Sequence, residues 1–163
     1  MNLEKVLIGG AIISTLLFAI LSITGNTEIL EDNNWAIEDT CLDSHSSGIS
    51  HTHSSLSIII QGEEISIPQN IGIQDSVCPN GMRGVHTQDD TGRLHIETPS
   101  QIDAPIGAFF NIWGEIFNSE QIFDNIADSD YEVIMLVNGE VNDEFENYIM
   151  LDGDTIKISF EEK

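Results

Sequence analysis

The sequence predicts an α+β protein, with a single N-terminal transmembrane helix followed by a mainly antiparallel sheet packed by one or two helices. Three observations carry this reading. Residues 6–25 hold no charge. β-branched runs recur between His51 and Phe160, separated by Gly and Asn turns. An aromatic stripe, Ile106, Phe109, Phe110, Trp113 and Phe117, returns at helical spacing. The chain divides accordingly into a cytoplasmic tip and anchor (1–25), a polar acidic linker (26–48) and one α+β domain (49–163), a length suited to a single core.

The anchor comes first. A helix needs about 20 apolar residues to cross a bilayer, and Val6 to Gly25 meets that length. Lys5 precedes the run, while Glu28, Glu31 and Asp32 follow it. Charge asymmetry of this kind places the N-terminus in the cytoplasm and the domain outside. A cleaved signal peptide would carry a shorter apolar region ending in a small-x-small site, for which Ile23-Thr24-Gly25 is a poor match. The expectation is an uncleaved signal-anchor, single-pass in the cell membrane, with the lipid bilayer as first partner.

Five basic residues stand against 28 acidic ones, a formal charge of −23. Such a chain repels phosphate backbones, which excludes nucleic acid as a partner. The excess reads as a solvated exterior. Two cysteines, Cys41 and Cys78, fall outside the membrane in this topology. A disulfide suits an oxidising compartment, and a thiolate ligand at Cys78 is the alternative. Blue-copper centres usually read Cys, His, Met along a short loop, whereas Cys78, Met82 and His86 run Cys, Met, His.

Along the domain, Leu56-Ser-Ile-Ile-Ile and Glu64-Ile-Ser-Ile flank Gln61-Gly62-Glu63, a hairpin ended by Pro68. A Gly- and Pro-containing loop leads to a second hairpin over about 84–98, turning at Asp89–Gly92. Asp103 is expected to cap a helix with Pro105 in its first turn. A second helix is expected over Ser119 to Ala127, with Ile122, Phe123 and Ile126 inward. Glu132–Val137 and Thr155–Phe160 read as strands, with Asn138-Gly139 as a hairpin turn.

The histidines carry the chemistry. His51 and His53, two apart on a strand, point to one side. If Asp89–Gly92 is a four-residue loop, His86 sits opposite His95, with Cβ atoms about 5 Å apart. Two preset pairs make His51, His53, His86 and His95 candidate ligands of a copper or zinc ion, because neutral imidazole suits both. Glu97 and Asp89 are candidate supports, orienting imidazoles rather than binding; Asp89 and Asp90 also suit a turn. His45 reads as a linker residue. In both elements the histidines oppose the apolar face, so the site is expected on an open or lightly covered side of the sheet. A cupin would require a carboxylate between Ser54 and Ile60, which is absent. No serine nucleophile motif, phosphate loop or dinucleotide fingerprint is present either, so the sequence supports no enzyme.

The order His51-x-His53, a Cys78 loop, His86-Thr87-x-Asp89, His95-Ile96-Glu97 and Phe109-Phe110-x-Ile112-Trp113-Gly114 resembles a group of uncharacterised secreted or membrane-anchored prokaryotic proteins, archaeal ones among them. That group usually reads His-Thr-His-Asp where this chain has His86-Thr87-Gln88-Asp89. The likeness supplies a pattern without an activity. Leu136-Val-Asn-Gly-Glu140 and Leu151-Asp-Gly-Asp-Thr-Ile-Lys-Ile158 resemble segments of small β-grasp domains, without the terminal Gly-Gly of carrier proteins. The functional expectation is an extracytoplasmic domain binding a transition metal. Its alternative is an acidic interaction module, an accessory subunit of a membrane or cell-surface complex holding no metal.

Overall fold

The structure, a computed structural model, describes residues 35–43 and 50–163. They belong to one compact unit, Asn34–Lys163. The anchor reading, and the linker positions around His45, lie outside the described residues. Among the described residues, no helix is long and apolar enough to cross a membrane.

The α+β expectation is corrected to a sheet-rich domain with one helix among the described residues. The strands are β1 (Cys41–Leu42), β2 (Ser50–Ile60), β3 (Glu63–Ile65), β4 (Met82–Arg83), β5 (Val85–Thr87) and β6 (Arg93–Thr98). After helix α1 (Ile106–Trp113) come β7 (Gln121–Ile122), β8 (Asn125–Ile126), β9 (Tyr131–Val137), β10 (Glu140–Val141) and β11 (Thr155–Glu162). A seven-stranded sheet runs β10-β9-β11-β2-β6-β5, with β3 also on β2. Its pairings are antiparallel except β11 on β2, which is parallel.

Alternation explains the core. Leu56 and Ile58 of β2 align with Ile156 and Ile158 of β11, and these with Val137 and Met135 of β9. All six are buried, so one face forms continuous apolar rows across three strands. Two tight turns set the register, Gln61-Gly62 and Asn138-Gly139, with positive φ at both residues of each. This is the type I′ geometry whose twist matches a hairpin.

The helical segment is shorter than its aromatic spacing suggested. Pro105, with extended backbone, occupies the N-cap without a side-chain cap bond, so Asp103 does not cap. Gly114 at φ 83 ends the helix, and Phe117 lies beyond it in a bridge to Ile122. The expected second helix is instead the hairpin β7–β8. Asn118 accepts the Glu120 N–H at 2.8 Å and Phe123 takes φ 53, so turn chemistry overrides the apolar spacing. Ile122 is fully buried but Ile126 is 64% exposed, which one inward helical face would not allow.

Residues 35–43, read as tether from their acidity, pack on the domain. Ile37 is fully buried in the core. Trp35 lies so close over Gly107 that a Cβ there would strike its ring. Glu38 accepts from the Trp35 N–H at 3.2 Å and from Asn111 Nδ2 at 2.9 Å. Cys41 and Cys78 are joined by a disulfide with Cα atoms 5.6 Å apart, so Cys78 is not available as a thiolate. The bridge closes a loop of sequence separation 37, which the chain-entropy model values at about 3–4 kcal/mol. Reduction should therefore lower the stability of the full chain by about that amount, read as the difference between denaturant curves with and without a reductant. A difference under about 1 kcal/mol would show that β1 is held by packing alone.

Candidate metal centre

Strand pairing builds the site. β6 lies between β2 and β5, and His95 at its middle faces His53 on one side and His86 on the other. One step along, His51 faces Glu97. The β5–β6 loop turns through Gln88 to Gly92, so His86 opposes His95 as its spacing predicts. The side chain of Thr87 donates to Pro68 O at 2.8 Å and accepts the Ile71 N–H at 3.0 Å, binding the preceding loop, after β3, to β5. The other end of β2 is fixed by the approach to β11. The His53 N–H donates to Asp152 Oδ1 at 3.0 Å, and the Gly153 N–H donates to His53 O at 2.7 Å.

All four predicted histidines converge. The His51 and His53 ring centroids are 4.6 Å apart, as are those of His53 and His95. His86 stacks on His95 at 5.3 Å, with 14° between the planes. His53 Nε2 meets His95 Nδ1 at 3.1 Å. Glu97 Oε1 lies 3.3 Å from His51 Nε2 and 3.8 Å from His86 Nε2. Two overlapping sets result. His51, His53 and His95 offer ligand atoms within 4.8 Å of one another, and so do His86, His95 and Glu97. Bonds near 2.0–2.1 Å at tetrahedral angles imply ligand edges of about 3.3 Å, close to the 3.1, 3.3 and 3.8 Å separations here.

Glu97, anticipated only as an orienting group, thus stands among the imidazoles with a carboxylate oxygen in one of the two candidate ligand sets. Its place opposite His51 follows from the β2–β6 register, which local spacing does not reveal. Asp89 is not in either set: its carboxylate is bound to the backbone N–H (3.0 Å) and hydroxyl of Thr91, an exposed turn.

The site, expected on an open or lightly covered face, is open at one end only. The His51 side chain is 43% exposed, while those of His86 and Glu97 are fully buried. The 70–84 loop closes the inner end. Gly72, at φ 72, approaches so near that a Cβ would lie 2.8 Å from Val85 O and 3.3 Å from His86 Cβ. Gly84 is held there by its N–H bond to Thr40 O at 2.9 Å and by contact with Ile37. His86 Nδ1 lies 3.0 Å from Arg83 O. A carbonyl only accepts, so Nδ1 carries the proton and the lone pair of a neutral His86 falls on Nε2, toward Glu97. A backbone partner that fixes ring and tautomer in this way is characteristic of metal-ligating histidines.

Burial, reinforced by the neighbouring His86 and His53, pushes the His95 imidazole down to about 4. Burial likewise lowers His53, with Arg93 and His51 adding to it. Both rings are therefore favoured in the neutral form at pH 7. The sign for stability follows. In the metal-free protein the unfolded chain protonates His95 near 6.5 and the folded chain only near 4. Stability should fall as pH falls through that window, because the unfolded state binds the extra proton. Denaturant curves at pH 7 and pH 5 check this, and His95→Gln should flatten the dependence.

This is a sheet-rich domain carrying an imidazole–carboxylate cluster. Compared with known proteins, the chain matches no family model, no curated protein and no solved structure.

Proposed function

We propose that the chain is a membrane-anchored extracytoplasmic domain that binds one copper or zinc ion at the cluster formed by His51, His53, His86, His95 and Glu97. The observation that carries this reading is the convergence of five side chains from three adjacent strands into two triads that share His95, the ligand atoms of each triad lying within 4.8 Å of one another. Imidazole with one carboxylate is a donor set for zinc and for copper(II). The disulfide supports an oxidising compartment, in keeping with residues 6–25 as an anchor that leaves the domain outside the cell membrane.

The test is metal content. The full-length chain, purified in detergent without a histidine tag and exposed to zinc or copper(II), should retain about one ion per chain after dialysis. Occupancy should fall on acidification, as protons compete for the imidazoles. A chain that emerges metal-free, with no uptake at micromolar ion, would leave the metal-free interaction module as the account of this domain.

A further inference from the structure

Exposure changes steeply along the cluster. His51 lies at the surface, His53 and His95 are half-buried, and His86 and Glu97 are fully buried. The two ligand sets divide along the same line, and His95 belongs to both. The outer set, His51, His53 and His95, offers imidazole nitrogens alone, within reach of solvent. The inner set, His86, His95 and Glu97, adds a carboxylate in a site screened from water, where its attraction for a dication is strongest.

We infer that the two sets act in sequence on a single ion, the outer one capturing it and the inner one retaining it, with His95 as the shared ligand throughout the transfer. This rests on the metal-binding reading above. Contact between the sets is continuous. His51 Nε2 of the outer set is 3.3 Å from Glu97 Oε1 of the inner, and Glu97 Oε1 is in turn 3.8 Å from His86 Nε2. An ion can therefore acquire the carboxylate before it loses His51, and at no point is it held by His95 alone. Simultaneous filling of both sets would place two dications against one imidazole and one carboxylate, whose single charge does not offset their repulsion. The closed inner end leaves the His51 side as the way in. His86 is covered there by the Gly72 loop, and its ring is bonded to Arg83 O.

The prediction separates two rates. Cobalt(II), whose visible absorption reports its ligands, is mixed with the full-length chain in stopped flow, and the loaded chain is then challenged with EDTA. His51→Ala should slow uptake at least tenfold, with a smaller effect on stripping. Glu97→Gln should do the reverse, speeding stripping at least tenfold with a smaller effect on uptake. His53→Ala and His86→Gln repeat the pattern on the outer and inner sets, should either first variant fail to fold. The wild-type spectrum should change in two phases at one cobalt per chain. Two cobalt ions per chain, a single phase, or outer and inner variants acting on the same rate would overturn the sequential scheme. Absence of cobalt uptake by the wild-type chain would instead overturn the metal-binding reading on which it rests.

Discussion

His95→Ala is expected to weaken zinc or copper binding by at least about 100-fold. Loss of a residue that merely orients a ligand costs about 10–100-fold, and His95 belongs to both candidate ligand sets. His45→Ala should leave affinity unchanged within about twofold, a control for adventitious binding to any histidine. Competitive titration against a chromophoric chelator measures both. Equal affinities for the two variants would mean that the cluster is not where the ion sits. The metal-free fold should survive the change, since His95 lies outside the apolar core.

The largest loss of stability is expected from Phe110→Ala. Phe110 is 1% exposed and packs against four rings: Phe109 at 5.8 Å, Trp113 at 6.0 Å, Phe117 at 4.7 Å and Phe123 at 6.3 Å. Truncating a buried aromatic of this kind costs about 3–5 kcal/mol, part transfer and part unfilled cavity. Trp113 stacks on the same ring, so tryptophan fluorescence during denaturation follows the loss directly. A change below about 1.5 kcal/mol would show that the surrounding rings collapse into the space.

How far the sequence discloses the site depends on the range of the interaction that builds it. The His86–His95 pair is legible because a four-residue loop fixes the register of its own hairpin. The His51–His53 pair is legible because alternation along a strand is local. That these pairs meet depends on β2 docking beside β6, and on His53 rather than His51 opposing His95; no short-range signal specifies that choice. Glu97 joins the imidazoles through the same register. The segment 35–43 was hidden by composition, since Glu38, Asp39 and Asp43 mask the apolar side chains that attach it, Trp35, Ile37 and Leu42. The stretch Ser119–Ala127 misled for the opposite reason. Its apolar spacing fits a helix, but Asn118 and Asp124 lie where turns are cheap, and the chain reverses there.

The parallel pairing of β2 with β11 has a consequence for how the chain is made. Thr155 pairs with Ser55 and Phe160 with Ile60, so a central strand of the sheet leaves the ribosome after every other described strand. β9, which reaches β2 only through β11, must wait with it. The histidine strands β2, β5 and β6 come much earlier and pair among themselves, as do the two cysteines. Long-range pairing of this kind is slow to form. The nascent chain thus passes through a stage in which the imidazoles are already gathered while the apolar edge of β2 is bare, and a cation supplied at that stage would hold together a half-built sheet.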